Sequence, residues 1–168
     1  MKMIPLTQGK FALVDDADHA YLSQFKWRAL KHAFKCRIYW TAVRWTYDPN
    51  GNRRATYMHQ QIIPLVGNTT EIDHKNGNAL DNQRENLRSA THIQNLQNRR
   101  KAPGTSSRFK GVSWYRRDGN WMAKITINRH QKNLGYFTSE QAAADVYDRA
   151  ALRYFGEFAL TNEQLNRA

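Results

Sequence analysis

Apolar positions along the chain come in short blocks separated by turn residues, and no block is long enough to be one large core element. Residues 10–14 and 36–45 are rich in β-branched and aromatic side chains and read as strands, whereas 16–25 reads as a short helix. Asp48-Pro-Asn-Gly-Asn52 is a turn signal that joins two strands. Phe25, Trp27, Phe34, Tyr39, Trp40 and Trp45 are assigned to a small core, because aromatics at strand spacing usually pack; stacking on bases is the lesser alternative. Further on, a strand ending at Ile72 would place Asp73 and His74 on opposite sides of the backbone. A loop with Asn76, Gly77, Asn78 and Asp81 follows, and residues 87–90 return as a second strand. Thr91 with Gln94 three places later is a capping-box pattern, so a helix should start there and carry Asn95 in its first turn.

The clearest period-two pattern is C-terminal, where Trp121, Ala123, Ile125 and Ile127 alternate with Met122, Lys124, Thr126 and Asn128. The apolar face should meet a helix that opens at Thr138, with Gln141 as its box partner, and repeats Ala143, Val146, Tyr147, Ala150 and Tyr154 at helical spacing. Strands and helices that alternate irregularly in small groups define an α+β chain.

At 168 residues the chain has room for one or two small domains. Twenty-six Lys and Arg against 14 Asp and Glu give a net charge of +12, which favours a polyanionic partner. An acidic membrane face would need an apolar span of about 18 residues or a strong amphipathic anchor, and the best run, 62–66, is short and broken by Pro64, so no membrane partner is expected. The N-terminal residues lack a signal-peptide pattern, and a cytoplasmic location is expected. Cys36 is the only cysteine, which excludes an intrachain disulfide and zinc knuckles of paired cysteines; a metal here should prefer oxygen and nitrogen donors. Between residues 99 and 132 there are ten Lys or Arg and one acid, Asp118, which marks a nucleic-acid footprint. The stretch 101–107 has loop composition and sets the expected boundary, with domains at 1–102 and 103–168.

The segment from Glu71 to Asn95, with Asp73-His74 at its head, Glu85-Asn-Leu-Arg88 inside and Asn95 at its end, resembles the HNH endonuclease family, in the phage and intron homing branch. His74 lies 12 positions before Asn86 and 21 before Asn95, a spacing that agrees with that branch. The resemblance implies a ββα-metal nuclease core, preceded here by a small β-rich region, that hydrolyses phosphodiester bonds in double-stranded DNA. Such hydrolysis needs a water made nucleophilic near neutral pH and a cation beside the leaving oxygen. A histidine has the ordinary pKa for the first task, and the resemblance implies that His74 takes the proton. Asp73 and Asn95 would hold one divalent cation, magnesium or else manganese but not zinc, and Asn86 would brace the loop. His59 lies where related enzymes also tend to have a His; a structural role is the leading reading for it and a phosphate contact or support of the site the alternative, and Gln60 stands where an Arg commonly follows. His19, His32, His92 and His130 have no comparable context.

Residues 107–162 carry Phe109-Lys-Gly-Val112, Gly119-Asn-Trp-Met-Ala-Lys-Ile125 and Leu134-Gly-Tyr-Phe137, and resemble the Apetala-two (ethylene-response-factor) DNA-binding domain. That resemblance implies three antiparallel strands packed on one helix, with the sheet in the DNA major groove. Lys110, Ser113, Tyr115, Lys124, Thr126, Gln131 and Asn133 are expected on the open face, with phosphate contacts from Lys110, Arg116, Arg117, Lys124 and Lys132. Trp114 and Trp121 are assigned to the core. Ser113, Thr126 and Asn133 stand where plant members use arginine and tryptophan, so sequence preference does not transfer. The leading expectation is a homing-type endonuclease, phage-encoded and acting in the bacterial host cytoplasm, with no protein partner implied. The alternatives are a DNA-binding regulator with a decayed nuclease motif and a basic RNA-binding protein; the latter lacks an RNA-recognition aromatic signature.

Overall fold

Residues 1–34 and 37–167 are described by a computed structural model. In it the chain falls into two units, Met1–His92 and Ile93–Ala168. The division lies at the start of the helix that carries Asn95, upstream of the expected 101–107 loop. Cys36 lies outside the described residues, as does the side chain of Phe34.

In the first unit β1 (Lys2–Pro5) pairs antiparallel with β2 (Phe11–Val14), and α1 (Asp16–Leu22) follows. The expected helix over 16–25 stops early because Gln24 N–H bonds Tyr21 O and Phe25 N–H bonds Leu22 O, three-residue turns that tighten and end the helix. A second sheet has the order β3–β4–β5, with β3 (Arg28–Phe34), β4 (Arg37–Tyr47) and β5 (Arg53–Tyr57) all antiparallel. The turn between β4 and β5 forms at Asp48, whose Oδ1 accepts the backbone N–H groups of Asn50 and Asn52 at 2.9 Å each. A single-turn α2 (His59–Ile62) leads to β6 (Glu71–His74), which pairs antiparallel with β7 (Leu87–Ala90), and α3 (His92–Gln97) begins immediately after Thr91.

The core of this unit is mainly aliphatic: Ile4, Ala12, Val14, Leu22, Ala42, Met58, Ile62 and Leu87 surround one tryptophan, Trp27. The indole N–H of Trp27 is satisfied by Leu22 O at 2.8 Å. Phe25 packs on the edge of this cluster, as expected. Tyr39 and Trp45 do not belong to it; both are exposed. Ala42 turns into the core, and the alternation of a strand sends Tyr39, Trp45 and Tyr47 to the opposite face. Trp40, half-buried, lies under the ammonium groups of Lys10 and Lys31 instead of under other apolar side chains.

The second unit contains a three-stranded antiparallel sheet, order β10–β9–β8, from β8 (Val112–Tyr115), β9 (Asn120–Ile127) and β10 (His130–Phe137). Helix α4 (Glu140–Phe155) packs on it through Ala143, Ala144, Tyr147 and Ala151, against Phe109, Val112, Ala123 and Ile125. Small alanines let helix and sheet approach closely. Tyr154, expected on the buried stripe, is exposed, because the stripe runs through Ala144 and Ala151. The cap is Ser139, not Thr138: its extended backbone lets Oγ accept Ala142 N–H, while Gln141 bonds Asp145. A last helix, α5 (Asn162–Arg167), was not foreseen. Its first residue is buried and clasps the start of the sheet: Asn162 Oδ1 accepts Lys110 N–H, and Nδ2 donates to Lys110 O and Asp148 Oδ1.

Candidate functional site

Strand β6 ends on Asp73 and His74, which are only 4% and 8% exposed. The β6–β7 register sets Asp73 opposite Arg88 and His74 opposite Leu87. Arg88 bonds the Asp73 carboxylate at 2.7 Å, a nearly buried ion pair.

The loop after His74 is held by its own side chains. Gly77 N–H bonds His74 O and sits at φ 72°, a conformation that favours glycine. Asn76 and Asn78 each accept a backbone N–H two residues on, which turns the chain locally. Asn86 closes the loop across its root: Oδ1 accepts Asn76 N–H at 3.0 Å and Nδ2 donates to Asp81 O at 2.7 Å. The loop is also tied to the N-terminal strands. Leu13 N–H bonds Leu80 O and Asn82 N–H bonds Leu13 O, both at 2.8 Å, while Asp15 accepts Arg84 N–H and Asp18 pairs with the Arg84 guanidinium. The β-rich N-terminal region therefore acts as the clamp for this loop.

The His74 ring is enclosed. Its Nε2 faces Asn82 Oδ1 at 3.5 Å, and His59 meets it edge-on at 5.2 Å between centroids. His59 in turn stacks on Tyr57 at 5.5 Å. Burial pushes the His74 pKa down, against smaller upward pulls from Asn82, Asp73 and Asp81. Burial, helped by His74, lowers that of His59 to about 4. Burial thus favours the neutral form of both imidazoles, and a neutral imidazole can accept a proton.

Asn95 is half-buried on α3 and is counted with the second unit. Among the described residues no three His, Cys, Asp or Glu side chains gather as a metal cage. The Asp73 carboxylate is an oxygen donor of the kind a hard divalent cation takes. Two residues of the site were missed. Arg88 is found only through the strand register, and Asn82 is fully buried with Nδ2 unpartnered among the described residues. Of the other histidines, His92 pairs with Glu71 at 2.6 Å and His32 bonds Thr41 at 2.9 Å.

In the second unit the register puts Ser113, Tyr115, Lys124, Thr126, Gln131 and Asn133 on the face away from α4. Arg116 and Arg117 are exposed in the β8–β9 turn. Lys132 and Lys110 depart from the expected surface. Lys132 is paired with Ile125, on the helix side, and bonds Tyr154 Oη at 3.0 Å. Lys110 turns inward to Gln97 O, and burial lowers its pKa to about 8. Trp121 packs on the core as expected, whereas its neighbour Trp114 is exposed at the sheet edge. Tyr136, not foreseen, joins the open face with its ring 5.1 Å from that of Tyr115.

Residues 64–97 match the family model described as HNH endonuclease. Over 157 residues the chain is 29% identical to an uncharacterized HNH endonuclease of Acanthamoeba polyphaga mimivirus, covering 93% of this chain and 76% of that protein. It is also 39% identical over 74 residues to an AP2-like ethylene-responsive transcription factor of Arabidopsis thaliana, covering 41% of this chain. With APETALA2-like protein 2 of Oryza sativa subsp. japonica it shares 41% identity over 68 residues, 40% of this chain. The chain spans only 13% and 16% of these two plant proteins. No helix among the described residues is long and apolar enough to cross a membrane.

Proposed function

We propose that this chain is a divalent-cation-dependent endonuclease of the homing type that hydrolyses phosphodiester bonds in double-stranded DNA. The observation that carries the reading is an enclosed His74 following Asp73 at the end of β6, at the root of a loop braced by Asn86. In this reading His74 takes the proton from the attacking water, and Asp73 and Asn95 hold one cation, magnesium or manganese. When bound, the cation stabilises charge on the leaving oxygen. His59 and Asn82 keep the His74 ring in place. The similarity to the viral HNH endonuclease supports the reaction class, and the similarity to the plant transcription factors supports a DNA-binding role for the second unit. The open sheet face, with Arg116, Arg117 and Lys124, would hold duplex DNA and keep the nuclease centre near its target. A phage or mobile-element origin and action in a host cytoplasm complete the proposal.

The test is incubation of supercoiled plasmid and host DNA with purified protein and magnesium, and mapping of any ends. Cation-dependent nicked or linear DNA, absent with chelator and with His74→Ala, is the expected result. Cleavage by His74→Ala at the wild-type rate would overturn the assignment of the base.

A further inference from the structure

We infer that the face of the β3–β4–β5 sheet bearing Tyr39, Trp45, Tyr47 and Tyr57 is a second duplex-DNA surface, which leads directly to His74. The inference rests on the nuclease reading for the identity of the nearby site, but its own evidence is separate.

Charge is the first observation. From Lys26 to Arg54 there are eight Lys or Arg (26, 28, 31, 35, 37, 44, 53 and 54) and one acid, Asp48. Asp48 is consumed locally, in its own turn and in an ion pair with Arg54 at 3.1 Å. The three strands themselves contain no acidic residue, and the register puts Arg28 and Arg53 on this face, with Lys31, Arg44 and Arg54 on the other.

Geometry is the second. The register aligns Tyr39, Thr41, Val43, Trp45 and Tyr47 of β4 with His32 and Arg28 of β3 and with Arg53 and Tyr57 of β5. Ala29 and Ala42 are buried on the opposite face and Thr41 and Val43 in the middle of this one, which exposes its rings toward the two ends of β4. Tyr39, Trp45 and Tyr47 are 38%, 40% and 73% exposed, an expensive display of ring surface for a face that meets only water. A cation sits among the rings, the Arg53 guanidinium lying 4.0 Å over Trp45, and the His32 ring stacks on Tyr39 at 4.7 Å. Arginines beside rings, on a face without an acid to repel phosphate, suit the DNA backbone.

Continuity is the third. Tyr57 of this face stacks on His59, and His59 abuts His74, so the aromatic track ends at the nuclease histidine. DNA on the track would present a phosphate at that end.

The experiment uses the full chain with His74→Ala as background, in EDTA, so that binding is read without cleavage. A labelled duplex is titrated at several salt concentrations and its footprint mapped, with and without Tyr47→Ala plus Arg53→Ala. Both replaced side chains are exposed, and thermal melting verifies the fold; Arg28→Glu plus Arg53→Glu serves as a second, charge-reversing variant. Expected are an affinity loss of about tenfold, a salt dependence shallower by about one ion and a footprint shortened on one side. Affinity within about twofold of the parent and an unchanged footprint in both variants would overturn the inference. The same holds if the variants alter only self-association, which would assign the face to a second copy of the chain. Lost affinity in a protein whose unmutated form never cleaves DNA would keep this surface and sink the nuclease reading; intact cleavage with unchanged binding would do the reverse.

Discussion

Arg88 reaches across the β6–β7 ladder and donates from Nε at 2.8 Å and from Nη2 at 2.7 Å to one oxygen of Asp73, Oδ2. Both side chains are nearly buried, so removing the guanidinium takes a counter-charge away from a buried carboxylate. Arg88→Met is expected to destabilise the first unit by about 3 kcal/mol in EDTA. If Asp73 is a cation ligand, magnesium should restore more stability to this variant than to the parent, because the ion replaces the lost counter-charge. Urea titrations with and without magnesium check both statements.

His74→Ala is expected to lower the cleavage rate by about a thousandfold while leaving DNA affinity in EDTA unchanged. Single-turnover cleavage and anisotropy titration measure the two independently. A parallel loss of affinity would move His74 from the chemistry to the binding surface.

The pKa of His59, lowered by burial to about 4 from the ordinary 6.5, makes stability pH-dependent. Below pH 6.5 the unfolded chain takes up a proton at this position that the folded chain refuses. The contribution is therefore complete above pH 6.5 and is lost as pH falls toward 4, by roughly 3 kcal/mol in all. His59→Phe keeps a ring against Tyr57 and should flatten this acid limb in urea unfolding between pH 7 and 4.5. His74 shifts in the same direction and retains part of the slope.

Gly111 sits at φ 76°, and a Cβ there would run into the Tyr147 ring. Gly111→Ala combines backbone strain with a clash against a buried helix side chain, and should destabilise the second unit by about 3 kcal/mol or more. Gly119→Ala, also at positive φ but in open space, should cost only about 1 kcal/mol. Thermal melts of the two variants decide the comparison.

Local spacing alone determined the elements around Asp73 and His74. The strand into Asp73-His74, the asparagine-rich loop, the returning strand and the helix after Thr91 all depend on turn residues and periodicity within a few positions. The alternation of β9, with Ala123 and Ile125 inward, was legible for the same reason. Orientation and burial were decided by partners distant in sequence. Leu13 bonds across to Leu80 and Asn82, and this contact places Asn82 beside His74. The strand register, not any motif, brings Arg88 to Asp73 and sends Lys132 to the helix side of its sheet. The aromatics of β4 looked like core until Ala42 claimed the inward face and left Tyr39 and Trp45 outside. Periodicity shows that a strand has two faces; only the packing of other elements selects the one that is covered.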